Sequence, residues 1–148
     1  MDILKEMGVD KKKAVDGIWV KLDNDEGDVE VEESDIGPDD AAIKIARADN
    51  VKYQRAISKK IQPLIMKRGR KALDPMVRQK AEAESLYETV ILDWRNLQYD
   101  GKPFPFSLEN VIKLWIDVEF SAFKDRIVML INDEEMFRAE IEEEAVKN

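Results

Sequence analysis

The chain has 148 residues, with 24 Lys and Arg against 32 Asp and Glu and a formal net charge of −8. That is long enough to bury one core without covalent staples, and acidic enough for the whole chain to be repelled by bare nucleic acid or anionic lipid. Cys and His are both absent, which excludes disulfides, thiolate metal sites and the imidazole that most often serves as base or transition-metal ligand near neutral pH.

Met1-Asp2-Ile3-Leu4-Lys5 does not open as a signal peptide, and no apolar run approaches the roughly 18 residues that span a bilayer, so a soluble protein with no membrane partner is expected. Residues 1–16 carry Lys11-Lys12-Lys13 and few large apolar groups, and read as a partly ordered arm or a loose helix, the arm preferred. Residues 17–148 read as a single domain, with a small sheet over 17–48 and helices over 50–146. Gly17-Ile18-Trp19-Val20-Lys21-Leu22 is β-branched and aromatic, Asp23-Asn24-Asp25-Glu26-Gly27 is a turn signal, and Asp28-Val29-Glu30-Val31-Glu32 alternates with period two; together they predict a hairpin. Residues 39–48 are ambiguous, since the alanines favour helix whereas Ile43-Lys44-Ile45 alternates; a third strand is preferred because a two-stranded ribbon is marginal alone.

Asp49-Asn50 caps a helix striped by Tyr53, Ala56, Ile57, Ile61 and Leu64, which Pro63 is expected to end. Met66-Lys67-Arg68-Gly69-Arg70-Lys71 reads as an exposed basic connector. Asp74-Pro75 then starts a long amphipathic helix, its stripe running through Ala83, Leu86, Tyr87, Val90, Ile91, Trp94 and Leu97. Asp100-Gly101 and two prolines break it, Ser107 caps a second helix bearing Val111, Ile112, Leu114 and Trp115, and the two form a helical hairpin. A last stripe, Phe120, Phe123, Ile127, Leu130 and Ile131, extends towards Met136, Phe137 and Ile141, and Glu140 through Glu144 is expected to project into solvent or fray. The fold class is therefore α+β, predominantly helical, with a small N-terminal sheet.

No catalytic, cofactor-binding or metal-binding residue is assigned. The serines lack an elbow or base motif, and Glu84 and Glu88 read as solvated helix acids rather than a catalytic pair. Asp23 to Asp28 fails as a calcium loop, because the glycine falls at the fifth position and the twelfth is Ser34. Charge is segregated: from Lys52 to Lys80 the single acid Asp74 stands among Lys52, Arg55, Lys59, Lys60, Lys67, Arg68, Arg70, Lys71, Arg78 and Lys80. Without interleaved aromatics this belt is a poor nucleic-acid surface; it fits an acidic patch on a partner or on a second copy of the chain. Phe104 and Phe106 flank Pro105 in a turn, where they either staple the hairpin beside Trp94 or form an apolar lip for a partner, the staple preferred.

Thr89-Val90-Ile91-Leu92-Asp93-Trp94-Arg95-Asn96-Leu97, followed by Asp100-Gly101-Lys102-Pro103-Phe104-Pro105-Phe106-Ser107-Leu108-Glu109-Asn110-Val111, resembles the central signature of tail assembly chaperones of long-tailed, siphovirus-type bacteriophages. The order of Gly17-Ile18-Trp19-Val20, Ile43 to Asn50, Tyr53 to Ile57 and the segment from Phe120 to Phe137 is similar as well. The resemblance implies a non-enzymatic chaperone that coats the tape measure protein, recruits tail tube protein, forms homo-oligomers, works in the host cell cytoplasm and is absent from the mature virion. The rival is a structural head-tail or tail-completion protein retained in the particle. Trp94, Arg95, Phe104 and Phe106 are the interaction surface this reading offers.

Overall fold

The computed structural model describes residues 1–23, 25, 27–68 and 74–139. The β-branched runs fold as the alternation predicts. Strands β1 (Ile18–Lys21), β2 (Val29–Val31) and β3 (Ala42–Ile45) pair antiparallel, with Trp19 opposite Val31 and Val20 opposite Ile43. Period two sends Ile18, Val20, Ile43 and Ile45 to the core, and Trp19, Lys21 and Lys44 to the other face. The Asp23–Gly27 turn lies partly outside the described residues. Its flank is fixed by Asp28, whose carboxylate accepts two hydrogen bonds from the Arg126 guanidinium, while Arg126 also donates to the carbonyl of Asp23 (3.1 Å).

A fourth strand completes the sheet, and it is one that helical spacing concealed. The long helix predicted to run from Asp74 to Leu97 stops at Thr89: α4 is Pro75–Thr89, and Ile91–Arg95 is β4, paired antiparallel to β3 with Ile43 opposite Trp94. The sheet order is β2-β1-β3-β4. Thr89-Val90-Ile91 is β-branched and favours extended backbone, and the pairing supplied by β3 decides the matter. Leu92 is the extra residue of a bulge, since Asp93 faces Lys44 while Ile91 faces Ile45.

The other helices start where their caps predict. Asn50 accepts from the Tyr53 N–H at the head of α3 (Val51–Arg68), Asp74 from that of Met76, and Ser107 from that of Asn110 at the head of α5 (Leu108–Ile116). Asn50 also donates to the carbonyls of Arg47 and Thr89, at 2.8 and 3.2 Å, tying the start of α3 to the end of α4. Pro63 does not end α3. It lies on an exposed part of the helix, so the carbonyl it deprives of a partner, that of Lys59, is open to water.

Between β4 and α5 a two-residue hairpin joins β5 (Gln98–Tyr99) to β6 (Lys102–Pro103). Asp100 and Gly101 both have positive φ, 51° and 75°, as a type I′ turn requires. α5 folds back on α4, the hairpin expected from the sequence, though a strand and a turn separate its arms. α6 (Ser121–Ile131) follows and buries Ile127, Leu130 and Ile131. Its stripe does not continue: Asp133 caps a turn through the N–H groups of Glu135 and Met136, and the fully buried Phe137 enters the core from that turn. Ile141 and Glu140 through Glu144 lie outside the described residues.

Residues 1–16, read as an arm, form two short helices, α1 (Ile3–Met7) capped by Asp2 and α2 (Lys11–Asp16) capped by Asp10. Local caps alone do not hold helices this short. They are docked: Asp10 N–H donates to the Phe137 carbonyl (2.8 Å), Arg47 N–H to that of Ala14 (2.9 Å), and Ala139 N–H to that of Gly8 (2.9 Å).

Candidate functional site

The residues singled out from the sequence do not form one surface. Trp94, Phe104 and Phe106 converge. The Trp94 indole N–H donates to the Phe104 carbonyl at 2.7 Å, the Trp94 and Phe104 rings stack at 5.5 Å, and Phe106 meets Trp94 edge-on at 5.1 Å while stacking on Tyr87 of α4. Phe104 also stacks on Phe120 at 5.4 Å. With Trp94 4% and Phe104 7% exposed, these rings face the interior and hold the β4–β6 turn against α4 and α5. Only a shallow recess of about 450 Å³ opens beside them, lined by Asp93, Asn96, Leu97, Pro103 and Pro105 in addition to the three aromatics.

Arg95, the fourth candidate, is elsewhere. As the next residue on β4 it points to the opposite face of the sheet, where its guanidinium lies 4.6 Å from the Trp19 ring centroid and pairs with Glu33. The arrangement covers a tryptophan that would otherwise face water, and explains how Trp19 is buried outside the main core cluster.

Apolar side chains stay exposed on α1, at Val118 and at Met129 on α6, and on α3 and α4 they line a groove. The two run antiparallel, because Asn50 meets Thr89 at one end and Leu64 shares a recess with Val77 at the other. The buried residues of α4 begin at Ala81, so the first turn and a half of that helix has no core to pack on. Among the described residues, α3 buries no side chain beyond Asn50; its stripe of Tyr53, Ala56, Ile57, Ile61, Leu64 and Ile65 is only half covered. Between the helices opens a groove of about 420 Å³, lined by Lys60, Pro63, Leu64, Val77, Lys80, Ala81 and Glu84. Met66, Met76 and Val77 stand 85%, 56% and 42% exposed on the same helix ends. Methionine adapts its shape to a partner more readily than a branched side chain.

The charge around the groove has one sign on one wall. α3 carries six basic residues and no carboxylate. Lys60 is tied to Glu88 of α4 at 2.9 Å, and Arg78 pairs with Glu82 at 3.5 Å. Among the described residues Lys52, Arg55, Lys59, Lys67 and Lys80 make no ion pair. Tyr53 sits where burial, and then the negative charge of Glu82, push its hydroxyl above the ordinary value, with Arg78 pulling the other way. Sequence reasoning registered the basic belt but missed the groove, because it spent Leu64 on the core stripe and Met66 on a connector, of which 69–71 lie outside the described residues.

Among the described residues no group of three or more acidic side chains is placed to hold a metal, and no helix is long and apolar enough to cross a membrane. No curated protein and no solved structure matches the chain. A family model, described as YdaY prophage protein, matches residues 48–148. The matched stretch holds the whole α3–α4 groove and the aromatic junction, and leaves β1, β2 and β3 ahead of it. Since it covers more than half of the sequence, the chain belongs to the YdaY prophage protein family and is of phage origin.

Proposed function

We propose that this protein is a phage assembly chaperone that works by binding: it captures an apolar-striped helix of a tail component, the tape measure protein being the fitting client, and releases it as tail tube protein assembles. The observation that carries the reading is the α3–α4 groove, a trough between two helices in which Pro63, Leu64, Val77 and Ala81 lie among Lys60, Lys80 and Glu84, with Val77 42% exposed. A groove between helices is the usual seat of an amphipathic helix, read through anchors three and four residues apart. A chain with neither His nor Cys suits a role in lending surface rather than in chemistry, and a phage origin is compatible with work in the host cytoplasm during assembly.

Co-expression with the tape measure protein of the same phage is the test. The client's soluble yield rises and the two co-purify, whereas Val77→Asp, which puts an unpaired charge on the groove wall at a half-exposed site, abolishes the gain and leaves the fold intact. Unchanged client solubility overturns the reading. Recovery of the chain at stoichiometric amount from purified mature particles replaces it with the rival, a head-tail or tail-completion protein.

A further inference from the structure

The groove has a second candidate occupant within the sequence itself. We propose that the basic α3–α4 groove of one copy receives the acidic C-terminal end of a second copy, so that the chain associates head to tail. The proposal rests on the reading of this groove as a docking site and adds a partner that does not depend on the client.

The argument is one of charge and symmetry. α3 carries basic residues and no acid, so α3 packed on its own image is repelled and a two-fold contact through α3 is disfavoured. The opposite sign is concentrated at the other end of the chain. Glu134 and Glu135 are exposed on the turn after α6, and the sequence continues Glu140-Ile141-Glu142-Glu143-Glu144-Ala145-Val146. That segment offers carboxylates for Lys59, Lys67 and Lys80, and the apolar Ile141 and Val146 for Leu64, Pro63 and Val77. Nine residues follow Ala139, about 13 Å if they were helical, against roughly 10 Å of α4 from Val77 to Glu84 on the same measure. The two surfaces sit on different elements, since Ala139 is bonded to Gly8 beside α1 while the groove opens on the half of α3 beyond Lys60. A contact between unlike surfaces leaves one of each free, so association propagates unless a ring closes.

Sedimentation velocity on the pure protein tests this without any client. The full chain self-associates with rising concentration, and the association weakens as salt is raised. A chain ending at Ala139 and the double variant Lys67→Glu/Lys80→Glu are each monomeric, the association constant falling about tenfold or more. Mixed together they stop at a one-to-one dimer, because only one of them offers a tail and only the other an intact groove. Should the shortened chain fail to fold, by its circular dichroism, Glu142→Lys/Glu143→Lys/Glu144→Lys in the full chain takes its place. A full chain that stays monomeric at every concentration overturns the proposal, and so does self-association that survives both variants. Because client capture is read by co-expression and this contact on the isolated protein, either can fail while the other stands.

Discussion

Replacing Phe104 with Ala decides whether the aromatic turn belongs to the core or to a binding surface. Phe104 is stacked between Trp94, at 5.5 Å, and Phe120, at 5.4 Å, with Tyr99 tilted against it at 6.2 Å. Truncating a buried Phe costs about 3–5 kcal/mol in lost transfer energy and residual cavity. The main chain stays, so the indole of Trp94 keeps its carbonyl partner, and a value near 4 kcal/mol is expected. Against a total stability of about 5–15 kcal/mol for an ordinary domain, that is a large fraction. At roughly 2–4 °C per kcal/mol for a chain of this size, the melting temperature falls by about 8–16 °C. Urea unfolding followed by far-UV circular dichroism and by tryptophan fluorescence reads both quantities, and Phe104→Leu, which keeps much of the volume, loses less than half as much. A loss below about 1 kcal/mol with an unchanged denaturant slope refutes the packing argument, for that is what a side chain on an apolar lip costs.

Gly17→Ala destabilises the sheet by roughly 1–3 kcal/mol in the same assay, since Gly17 has φ of +86° and an added Cβ would come within 2.6 Å of Leu92 and 2.9 Å of the Ile45 carbonyl oxygen. Asp28→Asn costs about 1–3 kcal/mol by leaving the Arg126 guanidinium without its anion, and the loss shrinks in high salt because Arg126 is partly exposed. The Tyr53 hydroxyl, raised above 10.0 by burial and Glu82, contributes stability that is complete below pH 10 and lost as pH climbs through its folded value. Tyr53→Phe therefore flattens the fall of stability above pH 10 and leaves the curve below it unchanged; equal slopes for the two proteins in alkali would show that the hydroxyl is not held this way.

What could be read in advance divides along the range of the information. Caps at Asn50, Asp74 and Ser107, the turn at Asp100-Gly101 and the alternation of β1, β2 and β3 are local, and each lies where its residues direct. β4 is not local. Val90, Ile91, Trp94 and Leu97 have helical spacing by accident of a bulge, and only β3, nearly fifty residues earlier, provides the hydrogen bonds that make the segment a strand. The surface taken from the resemblance joined Trp94 to Arg95, whereas adjacent residues of a strand face opposite ways. Phe137 and the helices of residues 1–16 were obscured for a related reason: each is ordered by the other, through the bonds of Asp10 to Phe137 and Ala139 to Gly8, and neither carries a period of its own.

The division of α4 explains how one helix can serve both fold and docking. α4 packs against α3, α5 and β4; its buried residues run from Ala81 to Thr89, and before Ala81 it has none. Apolar residues in the second half are therefore fixed by packing, and those in the first half are free to meet a partner. The two roles separate along the sequence: Leu86, 3% exposed, is a stability position, whereas Val77, less than three turns away and 42% exposed, is the position the proposed docking would use. The aromatic staple belongs to the first role, because Phe106 meets both Trp94 of β4 and Tyr87 in the second half of α4. The proposed docking then predicts an asymmetry: loosening the staple degrades the groove as well as the core, while emptying the groove of charge leaves the core untouched.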